Sequence, residues 1–305
     1  MPVFGKSSNK YNSESRQEII DEAFRCHSEG KLRDAEKLYK LFIEKGFKDS
    51  TMFNNYAVIC KKFGRIQESK NLYKKSIELF DNNPDAFSNL AIIYKDLGKI
   101  EDAIIYTKRA VELQPENPIF NYNLANLFHL SDMNDQAEYF MKQAIQLNPD
   151  FFSAYNNLGN IFLTLGRLIE AKSLFEKVIF LNPKFAPAYS NLGVVLRDLR
   201  DREGARSNFI KAIEIDNNLC QTYYYLSTLE NFTVDDKKWI DLLFSKDSDN
   251  LSPKNLVDLS FAKANIYHQY DQFKQSSEML VKANNLNLSI HHSDYQETLD
   301  NIDEF

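Results

Sequence analysis

An asparagine recurs every 34 residues along the middle of the chain, and this row is the feature most suited to a binding chemistry. A carboxamide side chain offers one acceptor and two donors, so it can pair with the amide of any extended peptide. Asparagine is also a poor residue for the middle of a helix, because it competes for backbone hydrogen bonds. We therefore expect the row to bind a peptide backbone, and a purely structural ladder is the alternative. The row consists of Asn55, Asn89, Asn123, Asn157 and Asn191.

Further polar and apolar side chains are predicted to border this row. Asn126 and Asn160 follow two of the asparagines by three residues and would extend the polar strip by one helical turn. A partly basic edge, which would favour acidic partner segments, is predicted six residues after four of the five asparagines; ordinary solvated side chains are the alternative interpretation. The members of that edge are Lys61, Lys95, His129 and Arg197. Tyr122 offers an apolar contact, either for a peptide or for packing between repeats.

Sequence patterns typical of catalysis and metal binding are absent. The chain contains no GxxxxGK[ST], GxGxxG or HExxH motif. Its histidines lie too far apart to converge on one metal ion, and no serine or cysteine has a recognisable base near it in the pattern. The 3 cysteines are too few and too scattered for a disulfide framework, and they are expected to be reduced core thiols. We expect no catalytic residue, no metal and no cofactor.

The asparagine spacing belongs to a repeat that involves many other positions. Numbering each repeat from its first residue, with Pro84 as position 1, a small residue stands at position 8, a generally large one at position 24, and often glycine at position 15. Proline closes three of the repeats at position 32. The asparagines stand at position 6, and the basic edge stands at position 12. Six repeats are in phase, at 16–49, 50–83, 84–117, 118–151, 152–185 and 186–219.

This pattern resembles that of tetratricopeptide-repeat (TPR) proteins. Positions 4, 7, 8 and 11 form one apolar stripe at helical spacing, and positions 20, 24 and 27 form a facing stripe. Each repeat is therefore predicted to be a pair of antiparallel helices. Because one pair cannot bury both faces, the pairs must stack. The resemblance implies an all-α solenoid, a right-handed superhelix with about six regular repeats, one degenerate repeat and one C-terminal repeat.

Two closer resemblances concern parts of the chain. The units AFSNLAIIYKDLGKIEDAI, AYNNLGNIFLTLGRLIEA and AYSNLGVVLRDL resemble the repeats of O-linked N-acetylglucosamine transferases. That resemblance implies that the asparagine row holds a substrate backbone in a concave groove. The run YYYLSTLENFTVDDKKWIDLLF and the residues after it resemble the segment that precedes the catalytic domain in bacterial TPR–sulfotransferase proteins. Because the sequence ends at Phe305 without a Gly-rich phosphate loop, we expect no activity from the chain itself.

The predicted function is that of a protein–protein interaction scaffold that binds an extended peptide through the asparagine row. The alternative is the substrate-recognition arm, or a truncated form, of a sulfotransferase or glycosyltransferase that lacks its catalytic domain. A net charge of −6, with its acidic surplus beyond residue 219, gives no electrostatic reason to expect a nucleic-acid partner. The polar N-terminus and the lack of long apolar runs favour a cytoplasmic protein without membrane insertion.

The expected domain organisation has four parts. Residues 1–15 are predicted to form a disordered arm, and residues 16–219 the six repeats. Residues 220–290 are predicted to hold a degenerate repeat and a final helix pair, with helices at 220–231, 235–246, 253–270 and 272–286. The last pair recovers the repeat register over 257–290, with Ala264 at position 8 and Ser276 at position 20. Residues 291–305 are predicted to form an acidic tail.

Overall fold

The computed structural model describes residues 15–229, 232, 236–246 and 251–302, with side chains as far as Ile290. Sixteen α-helices and no β-strand are found within these ranges, and the first twelve helices form six pairs. The pairs are α1 (Arg16–Ser28) with α2 (Leu32–Glu44), α3 (Ser50–Lys62) with α4 (Ile66–Leu79), α5 (Pro84–Asp96) with α6 (Ile100–Leu113), α7 (Pro118–Leu130) with α8 (Asn134–Leu147), α9 (Phe152–Thr164) with α10 (Leu168–Leu181), and α11 (Ala186–Asp198) with α12 (Arg202–Ile215).

The helix boundaries repeat in every one of the six predicted frames. The first helix occupies positions 1–13 and the second begins at position 17, after a three-residue turn. Proline or a capping side chain starts several first helices: Asn83 accepts a hydrogen bond from the Ala86 amide, and Asn117 accepts one from the Ile119 amide. The predicted all-α architecture of helix pairs is confirmed.

The turn inside each pair depends on one residue in the left-handed backbone region. Position 15 is glycine in four of the six repeats, and Gly30, Gly64, Gly98 and Gly166 have φ between 71° and 77°. Asp132 and Arg200 occupy the same position in the other two repeats, with φ of 56° and 67°. The turn therefore keeps its geometry even where the sequence provides no glycine, and the non-glycine residues carry the strain.

Close contact between positions 8 and 24 holds the two helices of a pair together. In two repeats position 8 is glycine and position 24 is a fully buried phenylalanine. A Cβ atom built on Gly159 would lie 2.7 Å from the Phe175 ring, and one on Gly193 would lie 2.6 Å from the Phe209 ring. The backbone of the first helix thus rests directly on the ring, which only a small position-8 residue allows.

Packing divides the chain into two compact units, unit 1 (Met1–Asn148) and unit 2 (Pro149–Phe305). The described part of unit 1 contains the helix pairs from α1 to α8. Unit 2 contains α9 to α12 and four further helices. These are α13 (Cys220–Ser227), α14 (Lys237–Ser245), α15 (Pro253–Gln269) and α16 (Phe273–Ile302).

The last two helices of unit 2 return to the repeat geometry that the sequence predicts for 257–290. Asp271, at position 15, has φ of 57°, like the turn residues of the earlier repeats. The Ser276 hydroxyl at position 20 donates a 2.9 Å hydrogen bond to the Ala264 carbonyl at position 8. Ser69 makes the same bond to Ala57 in unit 1, at 2.7 Å. The register that links positions 8 and 20 is therefore the same in both pairs.

Three helices of unit 2 differ in length from the sequence prediction. Helix α13 ends at Ser227 rather than near 231. At this end the hydroxyls of Ser227 and Thr228 donate hydrogen bonds to the backbone carbonyls of Tyr224 and Tyr225. Helix α14 starts after Asp236, whose buried carboxylate accepts from Arg206 of α12 at 2.6 Å and from the Trp239 indole at 2.8 Å. Helix α16 continues to Ile302, because no glycine or proline interrupts it.

The structure describes more of the predicted C-terminal tail than of the predicted N-terminal arm. Residues 1–14 of the predicted N-terminal arm lie outside the described residues, and Ser15 caps α1. Most of the predicted acidic tail is helical, as the continuation of α16. Residues 247–250, between α14 and α15, also lie outside the described residues.

Replacing Arg200 with glycine tests the strain at position 15. We expect Arg200→Gly to raise the free energy of unfolding by about 0.5–1 kcal/mol, because glycine adopts the left-handed conformation without a Cβ penalty. Urea denaturation of both proteins measures the change. The reverse substitution, Gly98→Ala, should lower the free energy of unfolding by a similar amount. An unchanged or lower value for Arg200→Gly would show that the turn is unstrained.

Candidate functional site

The position-6 asparagines lie on the first helices, and within each unit a first helix packs on the second helix of the repeat before it. All five are half-buried. Two contacts define their surroundings: Asn55 makes a hydrogen bond with the Tyr39 hydroxyl, and Tyr225, which takes position 6 after the last asparagine, packs on Phe209. Tyr39 and Phe209 are both position-24 residues. The side chain at position 24 therefore forms the support beneath position 6 of the next repeat.

In unit 1 the three position-6 asparagines differ in the hydrogen bonds that their side chains make within the protein. The Tyr39 hydroxyl that bonds Asn55 also lies 2.9 Å from His27 Nδ1. The side chains of Asn89 and Asn123 make no hydrogen bond to any residue that the structure describes. Both are half-buried, and each lines a cavity of unit 1.

In unit 2 the two position-6 asparagines, Asn157 and Asn191, are linked by side-chain hydrogen bonds through Asn156. Asn191 of α11 donates to Asn156 Oδ1 at 3.1 Å and to Asn160 Oδ1 at 3.0 Å, both on α9. Asn156 in turn donates to Asn157 Oδ1 at 3.2 Å. Asn191 thus uses both of its N–H groups to join two first helices. Sequence reasoning did not single out Asn156, although the Asn-Asn pair at positions 5 and 6 was a visible signal.

A polar cavity of about 470 Å³ opens in unit 1 between α3 and the start of α5. Asn55 and Asn89 both line it, together with Thr51, Asn54 and Asn83. Asn54 donates to Asn83 Oδ1 at 3.2 Å, but its own Oδ1 is buried and has no hydrogen-bond partner. An unmet buried acceptor costs about 1–3 kcal/mol. The Asn54 oxygen is covered by protein, so the carboxamides that line the cavity beside it are those of Asn55 and Asn89.

Three further residues that the sequence singled out are Asn126 and Tyr122 in unit 1 and Asn160 in unit 2. Asn126 is half-buried and lines a second, smaller cavity of unit 1 with Asn123 and Lys95. Tyr122 is also half-buried, one residue before Asn123. In unit 2, Asn160 is occupied as an acceptor for Asn191.

The predicted basic edge is partly neutralised by neighbouring side chains. Lys61 Nζ lies 2.8 Å from Asp96 Oδ2, whereas Lys95 Nζ lies 4.0 Å from the other oxygen of that carboxylate. His129 Nδ1 lies 2.8 Å from Asn134 Oδ1. Arg197 lies 2.9 Å from Asp198 Oδ1, and its guanidinium stands 5.5 Å from the centre of the Tyr225 ring. Among these residues, Lys95 is the cation least engaged by a carboxylate.

Burial makes the described cysteines unreactive. Cys26, Cys60 and Cys220 are buried and free, and burial raises the pKa of each thiol, to about 11 for Cys60. Protonated buried thiols are poor nucleophiles. Within the described residues no three His, Cys, Asp or Glu side chains are grouped to hold a metal ion. Nor does any described helix have the length and apolarity needed to cross a bilayer.

Comparison with known families identifies the repeat. Tetratricopeptide-repeat models match residues 50–83, 84–117, 140–173 and 186–219. The chain is a tetratricopeptide-repeat protein. Three of these segments coincide with the frames derived from the sequence, and the segment 140–173 begins in the frame 118–151 and ends in the frame 152–185. No significant match is found among curated proteins.

Solved structures of TPR proteins share the fold. MamA is 27% identical over an alignment that covers 53% of this chain and 94% of MamA, with a TM-score of 0.50. YrrB, described as a TPR protein with an unusual peptide-binding site, is 24% identical, with 59% and 93% covered and a TM-score of 0.51. PilF of Pseudomonas aeruginosa is 15% identical, with 76% and 97% covered and a TM-score of 0.57. The resemblance to transferase repeats stays a prediction.

Alanine substitutions should separate structural asparagines from available ones. We expect Asn191→Ala to lower the free energy of unfolding by about 1–2 kcal/mol, because it removes two hydrogen bonds and leaves buried Asn156 without its donor. Asn89→Ala should change it by less than about 0.5 kcal/mol, since no bond is lost and alanine is the better helix former. Chemical denaturation of both variants provides the comparison; equal losses would contradict the distinction.

The His27–Tyr39–Asn55 cluster predicts a pH dependence. Burial, with a smaller contribution from the charge of Lys62, lowers the pKa of His27 below 6.5. Because the unfolded chain then binds the proton more readily, the free energy of unfolding should fall as the pH drops below about 6.5. Denaturation at pH 7.5 and 5.5 should show a smaller loss for His27→Gln than for the parent chain. Identical losses would exclude His27 as the cause.

Proposed function

We propose that this protein binds an extended peptide segment of a partner protein on the first helices of unit 1. The observation that carries the proposal is the polar cavity between α3 and α5, whose wall includes two position-6 asparagines, Asn55 and Asn89. An extended peptide presents N–H and C=O groups alternately, and carboxamides pair with both. The peptide-binding site for which YrrB is described, on the same fold, supports this role.

Asn89 and Asn123 are the residues that we assign to backbone recognition. Neither side-chain amide makes a hydrogen bond to a described neighbour, and both residues stand at the same position of successive repeats. Asn55 joins them at the cavity wall, although it also bonds Tyr39. In unit 2, Asn191 is engaged with Asn156 and Asn160, so we assign it to holding α9 and α11 together. The proposed contact surface is therefore the α3, α5 and α7 faces of unit 1.

The expected affinity is modest. Each amide–amide hydrogen bond contributes a net of about 0.5–1.5 kcal/mol, and ordering a flexible peptide opposes binding. A few such bonds give recognition that depends on the peptide backbone, with side-chain preference set by the cavities and charges alongside. The proposed role is binding, and none of the residues in this surface is assigned a catalytic step.

The test is a pair of substitutions that leaves the helices intact. Twelve-residue peptides selected on the full chain from a random display library serve as ligands, with affinity measured by fluorescence anisotropy. Asn89→Ala combined with Asn123→Ala should weaken binding roughly tenfold, the loss expected for about 1.4 kcal/mol. Asn71→Ala, on the exposed side of α4, is the matched control and should bind like the parent chain. Equal affinity in all three proteins would overturn the proposal.

Backbone dominance has its own measurement. N-methylation of single amides in a selected peptide removes one N–H without changing a side chain. We expect at least one such peptide to bind roughly five- to tenfold more weakly, whereas alanine replacement of most peptide side chains should change affinity less. A peptide that tolerates every N-methylation but fails on side-chain removal would contradict backbone recognition.

A further inference from the structure

One repeat of unit 1 breaks the size rule at position 24. The other five regular repeats place a tyrosine, methionine or phenylalanine there, and each of those side chains is fully buried. These residues are Tyr39, Tyr73, Met141, Phe175 and Phe209. The repeat 84–117 has Thr107 instead, and its side chain is also buried, at 1% exposure. A short side chain thus occupies a place built for a long one.

The missing volume appears as a cavity beneath a position-6 asparagine. A space of about 40 Å³ lies between α5 and α7, with the buried Thr107 and Ala91 at its base. Ile92 and Leu127 form apolar walls, and the polar side chains of Ser88, Asn123, Asn126 and Lys95 also line the cavity. Position 24 supports position 6 of the next repeat elsewhere in the chain, as the Tyr39–Asn55 bond illustrates. Thr107 thus lines the cavity at the position that a large side chain takes in the other regular repeats.

The Thr107 hydroxyl does not make the cavity polar. It donates a 2.8 Å hydrogen bond to the Ala103 carbonyl one turn back in α6. What Thr107 presents to the cavity is therefore chiefly its methyl group, beside the methyl of Ala91. The base and walls suit an apolar group, while the amide of Asn123 is placed to hold the backbone from which that group projects.

We infer that this cavity is a specificity pocket for one short side chain of the bound peptide, alanine, serine, threonine or valine, with an acidic residue next to it. The inference rests on the proposed function, since Asn123 is the residue that would hold the peptide backbone at this point.

The size of the cavity limits the occupant. Its volume of about 40 Å³ is less than a tenth of the 470 Å³ of the polar cavity between α3 and α5. A short side chain such as valine, threonine or serine suits so small a space better than leucine or an aromatic residue.

The charge beside the cavity favours a carboxylate neighbour. Lys95 Nζ is 4.0 Å from Asp96 Oδ1, too far for a hydrogen bond, because Lys61 holds the other oxygen of Asp96 at 2.8 Å. The Lys95 ammonium is therefore available to a carboxylate of the peptide, with which it can form a charge-assisted hydrogen bond.

The experiment fills the pocket with the residue type that the following repeat carries. Thr107→Met recreates the alanine–methionine pairing of Ala125 with Met141, so the repeat has a precedent for it. Peptides selected on the full parent chain from the random twelve-residue library should share a short side chain adjacent to Asp or Glu. Thr107→Met should bind them on the order of 10- to 50-fold more weakly, the loss expected for two or three buried carbons.

Two further variants separate volume from other effects. Thr107→Val removes the hydroxyl but keeps the cavity, so its affinity should stay within about twofold of the parent chain. Lys95→Gln should lose the selection for the acidic neighbour while keeping that for the short side chain. Thermal unfolding followed by circular dichroism confirms that each variant is folded.

The outcomes distinguish this inference from the proposed function. Two results would overturn the inferred pocket and leave the proposed function standing. One is that selected peptides bind the folded Thr107→Met variant as well as the parent chain. The other is that they carry a large side chain next to the acidic residue. Failure to select any peptide on the parent chain overturns both. Equal losses for Thr107→Val and Thr107→Met would also overturn the pocket, because volume would then not be the cause.

Discussion

The close approach of positions 8 and 24 is the constraint on which the rest of each repeat depends. With Gly159 and Gly193 the first-helix backbone rests on a phenylalanine ring, and where position 8 is alanine the partner is tyrosine, methionine or threonine. This contact sets the distance between the two helices and buries the large side chain completely in five of six repeats. The left-handed residue at position 15 then has to close the turn at that distance, which explains why even Arg200 adopts it.

The same large side chain also shapes the surface that we propose for peptide binding. Position 24 lies beneath position 6 of the next repeat, so its chemistry decides whether the asparagine above it is engaged. A tyrosine hydroxyl engages Asn55, a phenylalanine cannot bond Asn191, and a threonine leaves space below Asn123. Repeats with nearly identical first helices therefore present different surfaces. On the proposed function, a residue in the core of one repeat would tune recognition by the next.

Much of the fold follows from local pattern. The 34-residue period, the glycine turns and the apolar stripes predicted six helix pairs whose boundaries the structure reproduces. Predictions failed where the pattern weakens, at the early end of α13 and the long continuation of α16, since helix ends there depend on single hydroxyl bonds and on the absence of breakers. The asparagines themselves were visible in the sequence, but their separate roles were not.

The sequence by itself determined that the chain is a series of helix pairs with an amide at one fixed place in each of five repeats, because periodicity is a property of neighbouring residues. Only the tertiary structure decided which of those amides the protein satisfies. Asn191 meets its partners across 31 and 35 residues of chain, and Asn54 Oδ1 is left without one. Such bonds depend on distances between helices of different repeats, which side-chain volumes in the core set and which no local pattern encodes.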